Sequence, residues 1–222
     1  MTKGSGNTIA ESREVHNFNK ICVRGSAELI ITQSDRESLV IEAEDNVISY
    51  IVSEVRNETL VLELNNNRWQ TIQPTERIKF CVEMKQVAGL QTAGACIINT
   101  NGINTVCLDL EVSGSCQIVI STLDAKTLKA KSSGSAKIDL AAGQVDNQEI
   151  QLCGSSEYNA PKLESKAVNL DISGSGEATV LVRDALYARI SGSGKVNFYG
   201  TPSVTKHMSG SGELKRLGNV EY

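Results

Sequence analysis

The sequence predicts an all-β fold: a right-handed parallel β-helix, a single-stranded solenoid of about 20 residues per coil with an amino-terminal capping insertion. Three observations predict it. A glycine recurs at positions 94, 114, 134, 154, 174, 192 and 210, at spacings of 20, 20, 20, 20, 18 and 18 residues. Apolar residues on both sides of that glycine alternate with period two, the mark of a half-buried strand. Finally, residues at equivalent outward positions change sign from one repeat to the next.

The coil is built around the glycine, and an earlier copy at Gly25 brings the number of indexed coils to eight. Two and four residues before it stand inward positions such as Leu90, Leu110, Val112, Ile150, Leu152, Leu170 and Ile172; four and six after it come Ile98, Ile118, Ile120, Ile138, Leu140 and Val180. Each coil thus has two short strands meeting at a bend, Ser-Gly-Ser in most copies, and a remaining stretch, such as 121–127 or 181–186, that returns the chain. Twenty residues at about 3.3 Å make a circuit near 65 Å, enough for three short sides, and eight coils rising about 4.8 Å each give a core roughly 38 Å long. A leucine-rich repeat has a similar period but lacks a match here at its asparagine position, and an up-and-down barrel needs no fixed bend glycine.

Outward positions register the coils independently. Glu111 precedes Lys131 by one coil and Asp171 precedes Arg189; Asp109, Lys129 and Glu149 alternate, as do Glu177, Lys195 and Glu213, while Lys137 meets Glu157. Opposite charges side by side contribute roughly 0.2 to 1 kcal/mol per pair. Serines flank the bends in ladders, at 113, 133, 173, 191 and 209 before the glycine and at 115, 135, 155, 175, 193 and 211 after it. Their expected role is to satisfy backbone groups at a turn through the hydroxyl, with a serine-lined ligand stripe as the alternative. Cys96 and Cys116 share one inward slot on consecutive coils. Stacking would place their Cα atoms within disulfide range, yet Ala136, Ser156 and Gly176 in the same slot show that it asks only for small side chains, so free thiols are expected.

Gly94 follows Gly25 by 69 positions, about 49 more than a coil needs. Strands are expected at 39–43, 59–64 and 78–84, with a short helix around 47–55. A solenoid must cover its open ends, so this insertion is read as the amino-terminal cap. At the other end, 215–222 form a thin lid over Leu214 and Phe198, and a further coil or another molecule, as in a homo-oligomer through that end, is expected to complete it. The whole of 1–222 reads as one domain, with 20–90 the first coil plus insertion and 90–214 the regular coils.

Composition excludes several classes of partner. With 22 Lys and Arg against 26 Asp and Glu, the formal charge of −4 offers no footprint for nucleic acid, and 4% aromatic residues leave few stacking platforms. No run of eighteen apolar residues exists to span a bilayer. Residues 1–13 contain no apolar signal core, so a signal peptide is expected to be absent or already removed.

Chemistry-bearing motifs are equally sparse. Six cysteines form no C-x-x-C pair, and with His16 and His207 as the two histidines no zinc spacing arises. The SGSGK run at 191–195 resembles a phosphate loop, but Val196 stands where Ser or Thr would hold magnesium and the loop leads into a strand. No G-x-S-x-G elbow exists, and the Asn57-Glu58-Thr59 acceptor pattern reads as a turn. The expectation is a non-enzymatic chain with no catalytic, cofactor or metal residues. A pectinase-like lyase or hydrolase on the same scaffold is the alternative, disfavoured because its acids alternate with bases and leave no acidic cluster.

Three stretches, KGSGN at 3–7, the run 23–33 and EAEDN at 42–46, together with the SGSG bends at Ser173, Ser191 and Ser209, make the chain resemble the bacterial family described as putative auto-transporter adhesin, head GIN domain. The resemblance implies a β-helix fold and a secreted, periplasmic or surface-attached protein of Bacteroidetes-like bacteria. A surface glycan or a host or matrix protein is the partner expected from it. The cysteines at 96, 116 and 153 depart from the small residues or serine more typical of the repeat.

Overall fold

A computed structural model describes residues 2–65 and 71–219; the expected lid therefore lies partly, at 220–222, outside the described residues. The chain opens with β1 (Thr2–Lys3), β2 (Thr8–Arg13), β3 (Lys20–Gly25), β4 (Ala27–Gln33) and β5 (Ser38–Glu44), followed by a 3-10 turn at Ile48–Tyr50. Next come β6 (Ile51–Arg56), β7 (Thr59–Leu64), β8 (Ile72–Gln73), β9 (Ile78–Met84), β10 (Gly89–Gly94) and β11 (Ile97–Thr100). The regular coils are β12 (Ile103–Gly114), β13 (Gln117–Gly134), β14 (Lys137–Gly154), β15 (Glu157–Gly174) and β16 (Glu177–Gly192), closed by β17 (Lys195–Tyr199), β18 (Ser203–Gly210) and β19 (Glu213–Gly218).

These strands stack as a parallel β-solenoid, and the stack is registered on the glycine. Gly25 pairs with Gly94, Gly94 with Gly114, and so on through 134, 154, 174, 192 and 210. The first side of each coil runs up to that glycine, and the second side leaves it. The inward columns on both sides are buried, among them Leu90, Leu110, Ile150, Leu170, Ile118, Ile138 and Val196. Burying each Leu or Ile contributes about 1.5 to 3 kcal/mol, so this repeated pair of columns is the principal stabiliser of the rod. The third side is more than a return loop: 123–125 pair in parallel with 103–105 and 143–145.

The step from 20 to 18 residues falls on that third side. Between β15 and β16 the register runs Ala160 to Val180 and then Glu164 to Leu181, and it shifts again between Ser165 and Ala167. The first two sides keep their columns intact, because a slip of one residue there would turn the apolar set outward.

The insertion does more than cap. β7 pairs in parallel beneath β3, and β9 beneath β4, so the insertion supplies a further rung of its own. In space β3 therefore lies between β7 and β10, both later in the chain. The end is then closed by antiparallel pairings: β5 runs antiparallel to β9, β2 antiparallel to β5, and β6 antiparallel to β7. The expected helix at 47–55 is corrected to a single 3-10 turn followed by β6. Ile51, Val52 and Val55 are β-branched, and pairing on the open edge of β7 outweighs the weak local helical preference. Asn57 and Glu58 join β6 to β7 with φ of 48° and 59°, the left-handed pair of a tight hairpin, in agreement with the turn read at that acceptor pattern.

One polar network crosses the core. The fully buried Tyr158 hydroxyl donates to Gln148 Oε1, and Gln148 Nε2 donates to Ser165 Oγ, with all three residues at most 1% exposed. Burial pushes the Tyr158 phenol far above its usual range and keeps it a donor. Gln148→Leu is expected to strand both hydroxyls and cost about 2 to 4 kcal/mol, whereas Tyr158→Phe removes a single donor and should cost about 1 to 2 kcal/mol. Urea unfolding of the two variants checks the order; equal losses would show that the network is not coupled through Gln148.

Candidate binding face and the end caps

The first side presents three outward columns to solvent. Five residues before the glycine run Asp109, Lys129, Glu149, Asn169 and Tyr187; three before it run Gln91, Glu111, Lys131, Gln151, Asp171, Arg189 and His207. The column next to the glycine holds Arg24, Ala93, Ser113, Ser133, Cys153, Ser173, Ser191 and Ser209. Strand pairing places successive members about 4.8 Å apart. Because the last column is small, a shallow depression of about 430 Å³ opens beside it, edged by Arg24, Gln91, Glu111, Lys131 and Gln151.

The serine ladders behave differently from the turn-satisfying role expected of them. It is the backbone amide that spans the bend: Ser115 N donates to Gly94 O at 2.8 Å, Ser135 N to Gly114 O at 3.0 Å, and Ser155 N to Gly134 O at 2.9 Å. Of the ladder hydroxyls, Ser113 Oγ donates to Thr92 O at 2.8 Å, and the others make no hydrogen bond within the described residues. Those hydroxyls are exposed and free to meet a ligand. The physical reason is that the coil-to-coil ladder already satisfies the bend, so a hydroxyl has nothing left to repair.

The charge ladders are in register as expected, but only some close. Lys129 reaches Glu149 at 3.9 Å and Lys137 reaches Glu157 at 3.6 Å, whereas Glu111 and Lys131 stand side by side without an ion pair. All are exposed, so their worth is register and solubility more than stability. A second groove, of about 740 Å³, follows the corner between the third and first sides past Asn104, Asp124, Lys126 and Gln144, with Val106 67% exposed on its wall. Its carboxylates are engaged: Asp124 Oδ1 accepts from Gln144 N at 3.2 Å and Asp146 pairs with Lys166 at 2.7 Å.

The cysteines are free thiols, as expected. Cys96 Sγ donates to Gly25 O at 3.4 Å and Cys116 Sγ to Gly94 O at 3.5 Å, so each thiol bonds the bend carbonyl one coil below. The Cys116 sulfur and burial together hold the Cys96 thiol protonated. Burial likewise raises Cys22, Cys81 and Cys107, which makes them poor nucleophiles. Among the described residues no three of His, Cys, Asp and Glu gather to hold a metal. His207 tilts against Tyr187, ring centroids 5.6 Å apart.

At the amino-terminal end two separate motifs prove to be one clasp. Ser5 N donates to Asn46 Oδ1 at 3.0 Å, Ser5 Oγ to Asp45 Oδ1 at 2.6 Å, Asn7 Nδ2 to Asp45 Oδ2 at 2.9 Å, and Asn46 Nδ2 to Lys3 O at 2.9 Å. Beneath them the Glu44 carboxylate, 1% exposed, accepts from Gly6 N at 2.7 Å, Thr75 N at 2.9 Å and the Thr75 hydroxyl. The residues of 3–7 and 42–46 are therefore chosen to knit the first strands to the cap. Both segments stand out in the sequence, but their contact, across about 40 residues, leaves no local pattern there.

A parallel solenoid with a polar, laddered side defines a repeat-built surface. Residues 17–202 match the family described as putative auto-transporter adhesin, head GIN domain, and the chain belongs to that family. Its fold is shared with a crystal structure of a putative adhesin from Bacteroides fragilis, 24% identical over 98% of this chain and 100% of that one, with a TM-score of 0.89. A putative adhesin from Parabacteroides distasonis is 21% identical over 97% and 99% of the two chains, TM-score 0.78. A putative lipid binding protein from the same species is 24% identical over 97% and 98%, TM-score 0.72. No curated protein matches the chain.

Proposed function

We propose that this is a non-enzymatic binding protein of the bacterial envelope, an adhesin whose first side receives a polysaccharide. The carrying observation is the column of small outward residues Ser133, Cys153, Ser173, Ser191 and Ser209, whose serine hydroxyls make no hydrogen bond within the described residues, beside a column of amides and charges, with rungs about 4.8 Å apart. A polymer with a commensurate repeat meets the same donors and acceptors at each step, and many weak contacts sum along its length. A protein partner is favoured less, since this face offers few of the aromatic anchors on which such interfaces depend. The family's description as an adhesin supports attachment outside the cytoplasm, and no helix among the described residues is long and apolar enough to cross a membrane.

A glycan array probed with the full chain tests the reading. Binding to at least one polysaccharide class is expected, with Lys131→Ala combined with Gln151→Ala weakening it about tenfold or more through lost charge-assisted contacts. Silence across the array, or binding indifferent to these two positions, would overturn the assignment to this face. Release of reducing sugar from any bound polymer would revive the pectinase-like alternative.

A further inference from the structure

The carboxyl-terminal rung ends the rod differently from the cap. β18 stacks on β16 and β19 on β17, so Val204, Lys206 and Met208 continue inward columns over Leu186, Ala188 and Ile190, while Leu214 and Arg216 continue them over Val196 and Phe198. No antiparallel strand closes this rung among the described residues. Its end face therefore shows the two cations amid apolar side chains: Val204 and Met208 are each 40% exposed. Arg216 is held over the core by Nε donating to Gly200 O at 2.6 Å. No carboxylate occupies an inward position of this rung, because Glu213 sits on the outward column with Lys195. From Arg183 onward the described chain carries six Lys and Arg against two Asp and Glu, in a protein of formal charge −4.

From this juxtaposition we infer that the carboxyl-terminal end face docks on an anionic phospholipid surface, with Lys206 and Arg216 at the headgroups and Val204 and Met208 entering the acyl boundary. The charge decides between partners. A second copy placed end to end would bring the same cations together, which disfavours the homo-oligomer expected through this end. A soluble anionic glycan would satisfy the cations but give the apolar residues no phase to enter. An anionic bilayer satisfies both at the same depth. Docking there would stand the rod away from the surface and leave its first side free.

Co-sedimentation of the full chain with vesicles tests this. Binding is expected to mixed phosphatidylglycerol and phosphatidylcholine vesicles at low salt, not to phosphatidylcholine alone, with release as salt rises. Lys206→Gln with Arg216→Gln should weaken partitioning about 30-fold, and Met208→Ser should weaken it without altering the salt dependence. Lys206 is exposed and makes no hydrogen bond, so Lys206→Gln alone serves if the double variant fails to fold, and a thermal transition like that of the unmodified chain certifies each variant. Glycan binding on the first side should be unchanged. Three results would overturn the inference: vesicle binding indifferent to lipid charge, variants that partition like the parent, or a dimer in sedimentation velocity that these substitutions dissolve.

Discussion

Gly134→Ala is expected to destabilise the protein by about 3 to 5 kcal/mol, while the same change at Gly25 should cost only about 1 to 2 kcal/mol. Both glycines have positive φ, +117° and +98°, which a side chain adopts at some cost wherever it stands. The difference lies in the stack. A Cβ on Gly134 would stand 2.6 Å from the carbonyl oxygen of Gly114 on the coil below, and that oxygen is fixed because it accepts from Ser135 N at 3.0 Å. Relief would need two coils to part. Around Gly25 a Cβ meets nothing within 4 Å among the described residues. The repeat glycine thus answers close approach as much as backbone freedom. Urea midpoints of the two variants measure the contrast; equal losses would mean that the coils can separate at the bend without penalty, and the stacking account would fail.

The glycine repeat, the period-two columns and the alternating charges were legible because a solenoid writes the same contacts into the sequence at a fixed interval. Each inward slot meets its own equivalent, so composition at one position reports the environment at the next. What escaped the sequence has no such interval. β6 resembles a short helix in isolation, and only the open edge of β7 makes it a strand. Likewise, the rung formed by β7 and β9 lies out of chain order beneath β3, and no local pattern records that inversion. The serine ladder was visible, but whether its hydroxyls face the backbone or the solvent depended on the amides already having partners across the bend. The proposed binding face is therefore a by-product of a fold that satisfies its own backbone and leaves a column of side chains with nothing to do inside the protein.

The clasp at the amino-terminal end should make stability depend on acid through Glu44. Burial alone would raise this carboxyl, but the Thr75 hydroxyl and the amides of Gly6, Thr75 and Glu76 together hold it below the usual glutamate range. A carboxyl whose folded pKa lies below its unfolded value binds its proton more weakly when folded. Its contribution is therefore complete above the ordinary glutamate value of about 4.3 and drains away as pH falls through the lower folded value. Glu44→Gln keeps the shape but turns an amide NH₂ toward donors that need an acceptor. It should cost about 3 kcal/mol at neutral pH and flatten the acid limb of the stability curve. The loss should be local as well as global. Gly4 packs so closely against the Glu44 carboxylate that a Cβ would overlap it, and β2 depends on the same cluster for its position on β5. Amide hydrogen exchange should accordingly quicken first in β2 and β5 of the variant while the middle coils keep their protection, since in a solenoid each rung leans mainly on its neighbours. A variant that loses protection uniformly, or keeps the parent's acid limb, would show that Glu44 is not the group that fastens the cap.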